Sequence, residues 1–301
     1  KTLAGSDNPR GIMQNALKRL AFTGIVIVVP TILFLLGAEI MLRLTGIGYS
    51  SQPLLKTEVG NKEVWVGNPD FTRLFFPNSL KRLPPPVRIP VQKSPKEKRY
   101  LVVGGSAAAG DPDVAFSISR NLEWILSQVD PETDFNVINL AYTACNFHVA
   151  REVVLQSEPY ALDGIIVLVG NNEVIGPYGP GTTLTESLLS LRKRNWQLRL
   201  RKTRLGQLGQ MIHESSSRKS GETAWRGMQH FLQHEIAGDD PRLRSVYSNF
   251  QKNLEDIESE ARRQGIPVLL SNVPVNLIDQ PPFLGDLEDI PKTWRQAILQ
   301  Y

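Results

Sequence analysis

The chain has 301 residues, of which 41% are hydrophobic and 21% charged, and its formal net charge is +4. This composition is ordinary for a folded protein, so it excludes global disorder, and the small charge by itself does not argue for nucleic-acid binding. The single cysteine, Cys145, excludes an internal disulfide and a cysteine-based zinc site, and the histidines lack ligand spacing. We therefore expect one sizeable domain with appendages, no metal and no cofactor.

Residues 20–42 form an almost unbroken apolar run with one charge, Glu39, near its far end. At 1.5 Å per residue the run is about 34 Å long, enough to cross a hydrocarbon core of about 30 Å. Because residues 1–19 are basic overall, we predict that they stay cytoplasmic and that residues 20–43 are a single transmembrane helix. The main domain would then be periplasmic or extracellular, on the far side of a bacterial inner membrane.

Three alternatives to an uncleaved anchor are weaker. A signal peptide would have a shorter apolar core and a small-x-small cleavage site, which residues 37–39 supply poorly. A lipoprotein would need a cysteine after the apolar run. A buried core helix would rarely be so uniformly apolar.

Residues 44–98 are a connector interrupted by glycine and proline, in which residues 63–66 are candidates to pair as a strand with the following domain. Four apolar runs then have the length and composition of strands: residues 99–103, 135–140, 164–170 and 266–271. Helical periodicity lies between them, at residues 116–126, 150–158 and 244–264, the last ending at Gly265. Strands that alternate with helices predict a parallel sheet in a three-layer α/β/α domain.

Polar residues follow three of these strands. Ser106 comes after the first, residues 139–146 after the second, and residues 171–173 after the third. Ligands of such sheets bind outside the carboxyl ends of the strands. We therefore expect these three segments to converge on one site.

The segments resemble the sequence blocks of SGNH (GDSL-type) hydrolases. Val103–Gly110 resembles the first block, with its nucleophilic serine, and Asn139–Asn146 resembles the second, although glycines usually stand where Ala141 and Ala144 are. Gly170–Glu173 is similar to the third. The resemblance spans residues 99–285 and implies a flavodoxin-like α/β domain, here placed at residues 99–290 with a helical basic insertion at about 185–240.

A narrower resemblance is to bacterial membrane-anchored SGNH proteins that continue into tetratricopeptide-like helices. It depends on the N-terminal anchor, the Gly170–Glu173 block and two further motifs, Asn276-Leu277 and Pro281-Pro282-Phe283. Residues 291–301 would then be the start of a C-terminal helical extension.

The resemblance implies catalytic roles. Ser106 would be the nucleophile, and the oxyanion donors would be its own N–H, the backbone N–H near Ala144 and the side chain of Asn172. An alanine N–H serves as well as that of glycine, provided the turn needs no positive φ. The structural alternatives are a helix N-cap for Ser106 and a cap of the next helix or turn for Asn172, while Glu173 is expected to bond a neighbouring turn.

The general base is missing from these motifs. SGNH hydrolases carry an Asp-x-x-His pair near the end of the domain, which we do not find here; if the sequence continues past Tyr301, the pair would follow there. Of the four histidines, His148 lies just after the second block and is expected to pack or cap. We expect the other three, His213, His230 and His234, to be solvated.

Residues Arg192–Arg204 carry seven positive charges with apolar residues between them. This stretch would lie on anionic lipid, dock an acidic subunit of a membrane complex, or form a solvated helix face whose Leu and Trp pack on the domain. Nucleic acid is not expected outside the cytoplasm.

Two functions follow. The first is a membrane-anchored serine esterase or acyltransferase that acts on an acylated envelope lipid or glycan. The second is a catalytically inactive SGNH-like accessory subunit of a larger membrane complex, because fold alone does not establish activity.

Overall fold

A computed structural model describes residues 9–182, 190–216 and 236–273, with side chains from Phe22 onward. These residues form two compact units. One contains residues up to 49 together with residues 199–216, and the other contains residues 50–182, 190–198 and 236–273. The predicted motifs at residues 276–277 and 281–283 and the extension at 291–301 lie outside the described residues.

The first unit is built on helix α1, Pro9–Leu44, which is 36 residues long with Pro30 inside it. Its part from Phe22 to Leu44 is long and apolar enough to cross a membrane, and its side chains are largely exposed to their surroundings. The same unit contains helix α6, Arg204–Ser216, which contacts α1.

The connector folds into a small antiparallel sheet of its own. Strands β1 (Leu54–Val59), β2 (Lys62–Gly67) and β3 (Arg88–Pro90) pair in that order. The expectation that residues 63–66 pair with the following domain is therefore wrong. The turn at Gly60, where φ is +63°, folds β1 back on β2, so this strand finds its partners within the connector.

The second sheet is parallel and has the order β5-β4-β6-β7. Its strands are β4 (Glu97–Gly104), β5 (Asp134–Asn139), β6 (Gly164–Leu168) and β7 (Val268–Leu270). In register, Val102 lies between Asn139 and Ile166. The predicted strands are confirmed with ends shifted by a few residues, and the strand order is that of flavodoxin-like folds.

Helices cover both faces of this sheet. The segment after β4 contains the short helix α2 (Ser106–Ala109) and α3 (Ile118–Val129), and α3 packs Ile118, Leu122 and Leu126 on the face that carries Val102. Side chains alternate along a strand, so Leu101 and Val103 point to the opposite face. Helix α4 (Phe147–Val154) contacts β4 and packs on α7 (Leu243–Gln264).

The helix ends show how local sequence sets these elements. Helix α4 begins three residues earlier than predicted because the side chain of Asn146 caps it, accepting the N–H of His148. Helix α7 ends where predicted, at Gly265 with φ of +70°, a conformation that favours glycine. Helix α5 (Leu191–Arg201) contains most of the basic stretch.

Candidate active site

The turn that carries Ser106 is closely packed. Strand β4 ends at Gly104, and a Cβ there would lie 2.5 Å from the carbonyl oxygen of Leu168 and 2.4 Å from Ala108 Cβ, so only glycine fits. Ser106 is the first residue of α2 and is half-buried. The N-cap position belongs to Gly105, so Ser106 is not the N-cap that the structural alternative required. Within the described residues no group hydrogen-bonds the Ser106 hydroxyl.

Asn172 lies beside this turn. It is buried, and its Nδ2 donates to the carbonyl oxygen of Cys145 at 3.0 Å. A Cβ built on Gly105 would be 2.8 Å from the same Nδ2, which places the amide against the residue before Ser106. An asparagine amide has two N–H groups, so one remains after the bond to Cys145. The side chain therefore ties two strand ends together, and among the described residues it forms no bond that caps the next turn.

The second block ends in a tight turn closed by Cys145 N–H donating to the carbonyl of Tyr142 at 3.2 Å. Tyr142 N–H in turn donates to the carbonyl of Gly104, which fixes this turn to the end of β4. Ala144 has φ of +60°, in the left-handed region. An alanine N–H was expected to serve as well as a glycine N–H only if the turn needed no positive φ. This turn does use positive φ, which costs about 1 kcal/mol or more for a residue with a Cβ.

These contacts bring the predicted segments together at one edge of the sheet. A Cβ built on Gly105 would lie 2.8 Å from the Asn172 amide nitrogen and 3.4 Å from the Cys145 carbonyl oxygen, so both groups approach the glycine closely. Ser106 follows Gly105 in the sequence, and Ala144 precedes Cys145. Unused N–H groups at such a point are what an oxyanion needs. None of these contacts supplies a general base for Ser106.

Glu173 acts as a structural acceptor, as expected from the sequence. Its carboxylate accepts the N–H of Phe147, at the start of α4, at 2.8 Å. Burial raises the pKa of Glu173 to about 7, although the Phe147 N–H and the charge of Arg194 act in the opposite direction. This carboxyl is therefore close to half-protonated at neutral pH.

Two polar neighbours of the site, Asp111 and Arg82, were not predicted. Thr143 Oγ1 donates to Asp111 at 2.9 Å, and the guanidinium of Arg82 lies 5.5 Å from the ring centroid of Phe76. Burial lowers the pKa of Arg82, and the nearby Cys145 and Asp111 act to raise it. Arg82 belongs to the connector, so sequence spacing gave no signal that it would approach the second block.

His148 is buried in α4, as its predicted packing role required. Its Nδ1 lies 2.6 Å from an Arg194 nitrogen and 2.7 Å from Asn253 Nδ2, both of which are donors. Nδ1 therefore accepts, and the ring is neutral. Burial and then the charge of Arg194 hold the pKa of His148 well below its usual range. His213 is exposed as expected, and His230 and His234 lie outside the described residues.

Among the described residues, no histidine or carboxylate is hydrogen-bonded to Ser106, so the described part of the chain supplies no general base for this serine. Within the same residues, no group of three or more metal-ligating side chains could hold a metal ion.

The basic stretch is only in part a solvated face. Arg192, Lys193 and Arg199 are exposed, but Arg194 has 1% of its surface exposed. Burial lowers the pKa of Arg194 to about 10. Leu198 is buried as predicted, whereas Trp196 is 60% exposed and does not pack on the domain.

Two clefts, of about 420 and 1020 Å³, lie along β5 and α3. They share Ala115, Arg120, Glu123 and Asn136, and neither includes Ser106 in its lining. Neither cleft includes the strand-end site, which we define as Ser106, the Tyr142–Cys145 turn and Asn172.

Comparison with known proteins gives distant structural similarity. No protein-family model matches the chain, and no curated protein matches it significantly. Among solved structures, TesA is 16% identical with a TM-score of 0.30, covering 67% of this chain and 74% of its own. AlinE4, an SGNH-hydrolase family esterase, is 15% identical with a TM-score of 0.25, covering 69% and 98%.

A third structure, a catalytic mutant of Axe2, an acetylxylan esterase from Geobacillus stearothermophilus, is 11% identical with a TM-score of 0.25, covering 58% of this chain and 75% of its own. All three TM-scores are well below 0.5. The fold class therefore rests on the strand order and register of this chain.

Proposed function

We propose that this chain is a single-pass membrane protein whose α/β unit is an SGNH-type serine esterase or acyltransferase. The observation that carries the proposal is the convergence at Gly105, where the Asn172 amide and the Tyr142–Cys145 turn meet the glycine next to Ser106. A nucleophile at a strand end with neighbouring N–H donors suits a reaction in which a carbonyl oxygen becomes negatively charged.

In this proposal Ser106 Oγ attacks an ester carbonyl and forms an acyl-enzyme, releasing the alcohol. Water then takes the acyl group in a hydrolase, or another hydroxyl takes it in a transferase. The developing negative charge is stabilised by N–H groups of Ser106, Ala144 and Asn172. A base for Ser106 would have to come from outside the described residues.

The membrane anchor in this proposal is the apolar part of α1, Phe22–Leu44, with the α/β unit on the periplasmic or outer side of a bacterial inner membrane. The basic residues before it motivate the orientation. A tethered esterase of this kind would act on an acylated lipid or glycan of the envelope.

The second candidate is an inactive SGNH-like subunit of a membrane complex. It is favoured by His148, which follows the second block but is bonded to Arg194 and Asn253. A histidine held in this way is not available to Ser106. Ala144 also favours this candidate, because it has φ of +60° at a position where the SGNH block usually has glycine.

The test is labelling of the full chain in detergent by a fluorophosphonate probe, read by intact mass. If the first function holds, one probe adds to the native chain and none to Ser106→Ala, because only an activated serine reacts at a useful rate. Ser127→Ala, at a half-buried serine of α3, is the matched control and should label like the native chain. Absence of labelling of the folded native chain would reject the enzyme and favour the accessory subunit.

A further inference from the structure

Helix α1 carries one carboxylate within its apolar part. Glu39 lies about 7.5 Å along the helix before the last residue, Leu44, at the normal rise per residue. A charged side chain at the middle of a membrane helix costs about 2.5 kcal/mol or more, and less near its ends. Such a group is expected to have partners.

Its partners are the first N–H groups of α6. The N–H of Arg204 donates to Glu39 Oε1 and that of Leu205 to Oε2, both at 3.0 Å. Arg43 Nε also donates to Oε1, at 2.9 Å. A carboxylate at a helix N-terminus satisfies unpaired donors and complements the helix dipole. Glu39 therefore caps the first two N–H groups of α6, and Thr203 Oγ1 accepts the next one, that of Gly206, at 3.0 Å.

A second contact fixes the same end of α6. The buried side chain of Gln207 accepts the N–H of Tyr49 at 2.9 Å and donates to the Tyr49 carbonyl at 3.1 Å. The chain just after α1 is thus bonded to the first turns of α6. Together these bonds place the start of α6 at the level of Glu39, which is inside the apolar part of α1.

The sides of α6 differ in polarity. Four apolar residues recur at helical spacing: Leu205, Leu208, Met211 and Ile212. Met211 and Ile212 are 41% and 57% exposed. On α1, Met41 and Leu44 are 66% and 83% exposed. Basic residues adjoin the start of α6 at positions 199, 201, 202 and 204.

We propose that α6 is an interfacial helix that lies in the outer headgroup region of the membrane, with Ile212 and Met211 in the acyl boundary and the adjoining basic residues on anionic lipid. The inference rests on the proposal that α1 spans the membrane. If it does, a helix capped at the depth of Glu39 begins within the lipid boundary, and apolar residues beside basic ones are what that boundary accommodates. A bilayer therefore fits this surface better than a protein partner in water.

The experiment is a depth measurement on the full chain in liposomes that contain anionic phosphatidylglycerol. Ile212→Cys is labelled with an environment-sensitive fluorophore, and His213→Cys, at the exposed neighbour on another side of the helix, is the matched control. The native chain is the blank, because Cys145 is buried. We expect blue-shifted emission at position 212, quenching by lipids with a nitroxide near the headgroup end of the acyl chain, and little of either at 213.

Glu39→Ala in the Ile212→Cys chain should shift the emission back toward the red, since the N–H groups of Arg204 and Leu205 lose the acceptor that holds α6 to α1. Alkaline extraction of the native chain separates the two proposals. A chain that stays in the membrane but has a water-exposed label at 212 overturns the interfacial helix alone. A chain that washes out overturns the span, and the interfacial helix with it.

Discussion

Two regions of the α/β unit contain buried polar side chains, and they differ in where those side chains point. Around His148, which we name the histidine cluster, Arg194 and Asn253 both turn toward one ring nitrogen from two other helices. At the strand-end site, by contrast, Asn172 keeps one N–H beyond its bond to Cys145, next to Ser106. Polar groups bonded to each other hold helices together, whereas a donor without a partner among the described residues can bind a ligand.

This contrast predicts that the strand-end site affects reactivity more than stability. Asn172→Ala should lower the rate of fluorophosphonate labelling of Ser106 by about a hundredfold or more, the usual effect of losing one oxyanion donor. The check is the labelling rate of the full chain, with the thermal midpoint as control. An unchanged rate in a folded variant would remove Asn172 from the oxyanion site.

The histidine cluster should show the opposite behaviour. Arg194→Ala should lower the free energy of unfolding by about 3 kcal/mol, because it opens a cavity and removes the buried bonds of Arg194 to His148 and Asn253. Denaturant titration measures the change. Arg192→Ala, on the exposed side of the same helix, should stay within about 0.5 kcal/mol. Equal effects of the two changes would mean that α5 does not hold the α4–α7 pair.

Glu173 links the two regions, and its effect depends on pH. Since burial raises its pKa to about 7, the fold holds a proton there that the unfolded chain releases at lower pH. This stabilisation is complete below the ordinary pKa of about 4.5 and is lost as pH rises through 7.

Glu173→Gln, which imitates the protonated form, should therefore be more stable than the native chain at pH 8, by on the order of 2 kcal/mol. At pH 4 the difference should be close to zero. Unfolding curves at both pH values are the measurement. A native-chain advantage at pH 8 would show that Phe147 N–H requires a charged acceptor.

The smallest expected effect is at Ala144. Ala144→Gly should raise the free energy of unfolding by about 0.5 kcal/mol, because glycine adopts φ of +60° without strain but has more freedom in the unfolded chain. Ala141→Gly, in the same block without positive φ, should be destabilising instead. If both changes destabilise the chain, the Ala144 turn is not strained.

Local pattern was enough to predict much of this protein. The apolar run of α1, the strands β4 to β7, and the end of α7 at Gly265 all follow from hydrophobic periodicity and the conformational freedom of glycine, which neighbouring residues determine. The meeting of Ser106, the Tyr142–Cys145 turn and Asn172 also follows, since strands that run in parallel place their ends at one edge.

Other features depended on contacts between residues far apart in the chain. Arg194 is buried although its neighbours in α5 are solvated, because α4 and α7 supply partners for it. Trp196, two residues away, is exposed for want of such a partner. The pairing of β2 within the connector and the position of Arg82 near Cys145 have the same origin.

The sequence by itself therefore determined the apolar run of α1, the four parallel strands and the residues that stand at their ends. Only the tertiary structure decided which polar groups bond to each other, as His148 does with Arg194 and Asn253. It also decided which keep an unbonded N–H, as Asn172 does beside Gly105. It also decided that Glu39 caps α6. Hydrophobic periodicity predicts which side of a helix or strand is apolar. The hydrogen-bond partner of a polar atom, by contrast, is a residue far away in the sequence that only the fold brings within bonding distance.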